Sequence, residues 1–146
     1  MTKTIVAIVF LVVFILVPLM SFADMGIGVI LGEPSGVSFR IGNFPVATVG
    51  WSFTNRIDAT LDFWIINDDF IEFFDWYLGV GLRTGIKINQ GNDNTSIFAL
   101  AVRVPIGLQW WIIENLELFV EAAPGVAILP SFGFDAGGGI GIRYFF

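Results

Sequence analysis

The chain has 146 residues, of which 55% are hydrophobic and only 14% charged, and its formal net charge is −6. It contains no cysteine and no histidine. Disulfides, thiol chemistry and the commonest general base and metal ligand are therefore excluded. An acidic chain without a basic patch is also a poor partner for nucleic acid. We expect a single apolar domain with no catalysis, no cofactor and no metal site.

The N-terminal segment has the plan of a secretory signal peptide. Lys3 is the only charge in this segment, an apolar run follows over residues 5–17, and the small residues Ser21 and Ala23 occupy the −3 and −1 positions of a cleavage site. We therefore predict that residues 1–23 are a cleaved signal peptide. The alternative is a retained membrane anchor, for which the apolar stretch is somewhat short.

The remainder of the chain, residues 24–146, alternates between apolar and polar or small residues with a period of two. In residues 57–65, for example, the odd positions are apolar, whereas Asp58 and Asp62 occupy even positions. A strand places such residues on opposite faces, whereas a helix would scatter them. The alternation predicts eight strands, at about residues 25–32, 37–42, 46–53, 57–65, 74–87, 98–111, 116–123 and 139–146.

Turn-forming residues separate the predicted strands. The sequence Glu33-Pro34-Ser35-Gly36 matches a type I turn, with proline second and glycine fourth. Further turns are predicted at residues 54–56, 67–69, 91–94, 114–115 and 130–131. An even number of strands with short connections fits an all-β fold, an antiparallel up-and-down barrel of eight strands.

Two properties of the pattern favour a transmembrane barrel, although alternation alone also fits a soluble sandwich. The apolar face carries no charge in any predicted strand and is rich in Trp, Phe, Leu, Val and Ile, as contact with lipid requires. The other face is largely Gly and Ala, which suits the narrow inside of an eight-stranded barrel.

Charged residues on the predicted inner face are balanced, with five acids and five bases. Charges in a confined lumen are tolerated only when they are paired or hydrated. We therefore predict a lumen ion-pair network. Its members are Asp58, Asp62, Asp75, Glu117, Glu121, Arg40, Arg83, Lys87, Arg103 and Arg143. On a soluble protein the same ten side chains would form solvated surface.

The last strand resembles the carboxy-terminal assembly signal of bacterial outer-membrane barrels, a polar residue, a glycine and two aromatics in alternation. Gly141, Tyr144 and Phe146 match the last three elements, while Gly139 stands where a polar residue is usual. The resemblance implies that the barrel assembly machinery and periplasmic chaperones are partners of this chain.

In size and strand number, the chain resembles the small outer-membrane barrels typified by the OmpA transmembrane domain and OmpX. The stretches 26–36 and 139–144 also resemble a group of uncharacterised bacterial barrels of this size. The resemblance implies a monomer in the outer membrane of a Gram-negative bacterium, surrounded by lipid. Fold alone does not specify a role within this class.

Three classes of function follow for such a barrel. Enzymatic barrels of this size depend on a catalytic histidine, and Glu117 and Glu121 would stand ~14 Å apart along a strand, too far for a glycosidase pair. A structural role in the cell envelope is therefore the leading hypothesis. The alternatives are a narrow pore for ions or small solutes, and a minor surface-binding or adhesion barrel that uses residues 88–96.

Overall fold

The computed structural model describes residues 24–87 and 97–146. The predicted signal peptide, with Ser21 and Ala23, and the predicted connection at 88–96 lie outside these residues. The described chain forms nine strands: β1 (Met25–Glu33), β2 (Ser35–Ile41), β3 (Val46–Ser52), β4 (Arg56–Ile71), β5 (Phe74–Lys87), β6 (Ile97–Arg103), β7 (Ile106–Ile113), β8 (Leu116–Leu129) and β9 (Gly133–Phe145). Within it, no helix is long and apolar enough to cross a membrane.

All nine strands belong to one antiparallel sheet that closes on itself. Strands β1 to β5 pair in chain order, β8 pairs with β9, and β9 pairs with β1. Both β6 and β7 pair with β5 on one side and with β8 on the other, so they share one position in the ring. The prediction of eight antiparallel up-and-down strands is confirmed by this ring, which is compatible with a β-barrel.

Pro105 explains why the sixth predicted strand is divided into β6 and β7. Proline has no backbone N–H to donate to the ladder. The ring nevertheless stays closed at this point, because Gly79 N donates to Pro105 O at 2.8 Å and Val104 N donates to Pro124 O at 2.8 Å.

The predicted turn at residues 67–69 is wrong, because these residues belong to β4 and lie opposite residues 75–77 of β5. The register shifts after Trp64 and again after Asp69. The polar stretch lies at the end of a long hairpin, and Asp68 and Asp69 are both exposed there.

Three other boundaries differ from the sequence-based expectation. Only Pro34 of the predicted turn at 33–36 lies outside a strand. Strand β8 continues to Leu129 and β9 begins at Gly133, so both are longer than predicted. Gly138 lies inside β9 with φ +127°, a backbone conformation that glycine adopts without strain.

The ring has two ends that differ in their connections. The terminus end carries Met25 and Phe145 together with residues 42–45, 72–73 and 114–115. The opposite end, called the loop end below, carries Pro34 and residues 53–55 and 130–132. At the terminus end, β4 and β5 project beyond β3, as the stagger of tilted strands in a closed sheet requires.

Candidate functional site

The interior of the ring holds most of the charged side chains of the strands, in three layers. Along β5, outward residues alternate with inward residues, so that Leu82 is 47% exposed whereas the neighbouring Arg83 is 3% exposed. Every strand in the ring repeats this alternation. The three layers are called the loop-end cluster, the middle cluster and the terminus-end cluster.

The loop-end cluster is organised around Arg83. Its Nε donates to Asp58 Oδ2 at 2.6 Å, and its Nη2 donates to Glu33. Arg56 holds the same Asp58 carboxylate from the other side, with Nη2 at 2.9 Å from Oδ2. Asp135 lies 3.5 Å from Arg83 Nη1. Three carboxylates therefore surround two guanidinium groups.

The middle cluster is built on Arg103. Its Nε lies 3.1 Å from Asp62 Oδ1, and its Nη2 forms an ion pair with Glu121. Tyr77 Oη donates to the second oxygen of Glu121 at 2.7 Å. Both carboxylates are buried or nearly so, and the pairing compensates for their loss of water.

The terminus-end cluster is built on Glu117, which is fully buried. It accepts a bond from Arg143 Nη1 at 2.6 Å and forms a second ion pair with Arg40. Gln109 Nε2 donates to the same carboxylate at 3.3 Å, and Arg143 Nε donates to Ser38 Oγ at 2.9 Å. One carboxylate therefore compensates two buried guanidinium groups.

Aromatic rings fill the space between these charges in the terminus-end half. Trp64 stacks on Tyr77 with ring centroids 3.8 Å apart and an interplanar angle of 11°. The Arg40 guanidinium lies 4.4 Å from the Trp64 ring centroid, and that of Arg143 lies 3.7 Å from the Phe119 centroid. Contacts of this kind between cations and rings are favourable once water is removed.

The loop-end half is lined by smaller residues. Gly85, Ala99 and Ala101 face inward there, and they line a pocket of about 220 Å³ that also reaches Arg56 and Asp135. The two halves of the interior are thus packed differently, although both contain paired charges.

Eight of the ten residues predicted for the network lie inside the ring and form ion pairs. They are Arg40, Asp58, Asp62, Arg83, Arg103, Glu117, Glu121 and Arg143. Asp75 and Lys87 do not join them among the described residues. Asp75 lies at the terminus end and accepts a bond from Trp111 Nε1 at 3.0 Å. Lys87 is exposed as the last residue of β5, where its ammonium group stays hydrated.

Sequence reasoning missed three charged members of the loop-end cluster. The turn-forming residues predict turns that include Glu33 and Arg56. Asp135 lies in a segment for which the alternation predicts no strand. The alternation itself could have found Arg56, which lies two residues before the inward-facing Asp58.

Gly141 and Tyr144 of the predicted assembly signal lie on β9, and Phe146 directly follows this strand. Tyr144 and Phe146 point outward with ring centroids 5.4 Å apart. Gly141 faces the Phe119 ring, which a methyl group at that position would strike. Phe146 N donates to Met25 O at 3.1 Å, which ties the end of the chain to the start of β1.

The described interior combines charge pairing with the packing of aromatic rings. Among residues 24–87 and 97–146, no three carboxylates are grouped so that they could hold a metal ion. The ionisable groups are held by partners of opposite charge, an arrangement that stabilises strands against one another.

The model of a family described as "Protein of unknown function (DUF3996)" matches residues 20–144. No curated protein and no solved structure matches the chain.

Proposed function

We propose that this chain, which belongs to the DUF3996 family of proteins of unknown function, is a transmembrane β-barrel of the bacterial outer membrane. Its role is structural: it is a scaffold of the cell envelope, with a lumen that ion pairs and aromatic rings close. It catalyses no reaction and needs no cofactor.

The observation that carries the proposal is the inverted polarity of the ring. Leu61, Val80 and Val102, on three different strands, are 41–47% exposed on the outside together with Leu82, whereas Arg83 and Arg103 are 3% exposed on the inside. A water-soluble sheet has the opposite arrangement, because large continuous apolar surfaces promote association. Hydrocarbon is the solvent that suits such an outer face.

The closure of the sheet also supports a hydrocarbon environment around the ring. In hydrocarbon, every backbone N–H and C=O group must be satisfied within the protein, and a closed ring of strands achieves this without a free edge across its middle. The pairing of β1 with β9 is what removes the edges.

The packing of the terminus-end half supports a closed lumen. Trp64, Tyr77, Phe119 and Glu117 are almost fully buried there. A path for ions through this layer would require separation of buried ion pairs, which is costly in a medium of low polarity.

Export and assembly complete the proposal. The signal-peptide pattern at residues 1–23 would direct the chain out of the cytoplasm, and Gly141, Tyr144 and Phe146 would present it to the barrel assembly machinery. Periplasmic chaperones would protect the exposed apolar strands on the way. The protein would then resemble the OmpA transmembrane domain and OmpX in fold, as a monomer surrounded by outer-membrane lipid.

Cell fractionation with gel electrophoresis tests the proposal. We expect the protein in the outer-membrane fraction, with a mobility that changes when the sample is boiled, because a closed barrel unfolds only on heating. The substitution Leu82→Arg puts a charge on the lipid face and should cost about 2–4 kcal/mol if it lies near the bilayer midplane. The matched control is Thr54→Arg in an exposed turn, which should change neither location nor mobility.

Recovery of the protein in the cytoplasm, or equal effects of the two arginine substitutions, would contradict the proposal. A narrow pore is the second candidate function, and the loop-end pocket of about 220 Å³ favours it. Electrical recordings from planar bilayers separate the two candidates.

A further inference from the structure

The outer wall of the ring contains an apolar groove near the terminus end. Its volume is about 490 Å³. It crosses β4, β5, β7 and β8, and its lining residues include Phe70, Trp76, Ile106, Leu108, Val120 and Ala122.

The groove is part of the outward face rather than the interior. Leu108 lies opposite both Trp76 and Val120, and Ile106 lies opposite Ala122. The small side chain of Ala122 leaves a depression among larger neighbours in the outer wall. Because directly opposed residues share a face of the sheet, this depression opens toward the surroundings of the ring.

Acidic residues border the groove on the side of the terminus end. Asp68 is exposed and lies directly opposite Trp76, so the two side chains share the outer face. Glu72, two residues after Phe70, is also exposed, whereas Asp69 lies opposite Asp75 on the other face of the sheet. An indole ring beside a carboxylate binds an organic ammonium group through both charge and the face of the ring.

The rest of the terminus end has the same sign of charge. All exposed charged side chains that the structure describes there are acidic: Asp24, Asp68, Asp69, Glu72 and Glu114. An anionic headgroup near this end would be repelled, whereas a headgroup with an ammonium group would be attracted.

We propose that this groove holds an acyl chain of a phospholipid with an ammonium headgroup, of the phosphatidylethanolamine class. The hydrocarbon chain would cover Leu108, Val120 and Ala122, and the ammonium group would lie between Asp68 and the Trp76 ring. This inference rests on the proposed membrane location, and it adds a specific lipid partner at one end of the barrel.

Quenching of tryptophan fluorescence by lipids with brominated chains tests the proposal. The protein is purified from the outer membrane of cells that express the full chain, and it is placed in phosphatidylcholine vesicles. The vesicles contain either brominated phosphatidylethanolamine or brominated phosphatidylglycerol. Quenching that is lost on Trp76→Phe reports the groove. We expect phosphatidylethanolamine to bind about threefold more strongly than phosphatidylglycerol, a difference typical of one exposed charge pair.

Two pairs of variants separate the groove from the general lipid surface. Ala122→Leu fills the depression and should abolish the preference, whereas Ala59→Leu, an outward alanine on β4, should leave it unchanged. Asp68→Asn should reduce the preference, whereas Glu114→Gln, on a different hairpin of the same end, should not.

Equal quenching by the two lipids, or a preference that survives Ala122→Leu, would overturn the proposal. If a basic peptide protects Trp76 from quenching and neither lipid is preferred, the groove binds a protein partner. That result would also overturn the proposal. Only protein that floats with the vesicles is compared. Failure to float would contradict the membrane location itself, and it is therefore distinct from loss of the lipid preference.

Discussion

In the terminus-end half of the interior, Trp64 stacks on Tyr77 while Arg40 and Arg143 share the Glu117 carboxylate. In the half next to the loop end, paired charges stand among glycine and alanine, and a pocket of about 220 Å³ remains. Both halves neutralise charge, but only the first also fills space with large rings. Charge pairing and closure are therefore separable properties of this molecule.

Closure of the interior and neutralisation of charge therefore depend on different residues. The terminus-end half should determine whether ions pass, because its rings and guanidinium groups occupy the cross-section. The loop-end half should contribute to stability without deciding permeability, because Arg56 and Asp135 border open space. Three substitutions test the closure of the terminus-end half and the contribution of charge pairing in each half.

The largest expected effect is the appearance of an ionic current when the seal is opened. In planar bilayers, we expect the unmodified protein to give no steady current and Trp64→Ala to give one, since the indole stacks on Tyr77 and contacts Arg40. The control is Trp110→Ala, which removes an outward tryptophan that is 42% exposed. Current from Trp110→Ala, or steady current from the unmodified protein, would contradict a sealed terminus-end half.

Next in size is the loss of stability on Glu117→Ala. This change leaves the buried Arg40 and Arg143 without their shared partner, which should cost about 3–5 kcal/mol of unfolding free energy. Urea titration of the protein in lipid vesicles measures it. Glu114→Gln, which changes an exposed acid on the neighbouring turn, should have almost no effect. Comparable losses of unfolding free energy in the two variants would contradict a stabilising role for the buried carboxylate.

Asp58→Asn should have a smaller effect, although Asp58 is as deeply buried as Glu117. Arg83 keeps Glu33 and Asp135 as partners, and Arg56 is partly exposed to water. We expect a loss of about 2 kcal/mol, the order of a hydrogen bond to a charged group. The same urea titration applies, and a loss larger than that of Glu117→Ala would show that Arg83 depends on Asp58 more than Arg40 and Arg143 depend on Glu117.

Much of the ring could be predicted from the two-residue period, because lipid and interior impose opposite demands on adjacent residues. The period identified inward charges such as Arg103 and Glu121, which form an ion pair. It did not locate the ends of the strands. At the rim both faces meet water, so the polar stretch at 67–69 resembled a turn although it continues β4.

Which charges pair could not be predicted, because pairing depends on register around the closed ring. Arg83 contacts Glu33, which is fifty residues away in the chain and lies on a strand that does not adjoin β5. The stacking of Trp64 on Tyr77 depends in the same way on their inward positions on β4 and β5. Trp110 is the same residue type as Trp64 and differs in facing outward, so residue type alone does not identify the ring that closes the interior.

The central claim, that the outer face contacts lipid, is tested most directly by measuring the polarity of its surroundings. The chain has no cysteine, so an environment-sensitive fluorophore can be attached at a single introduced position, Val80→Cys or Leu82→Cys, with Thr54→Cys in an exposed turn as the control. In vesicles, we predict blue-shifted emission that lipid-borne quenchers reduce at Val80 and Leu82, and water-like emission at Thr54. Water-like emission at all three positions, quenched by iodide, would contradict a membrane-spanning barrel.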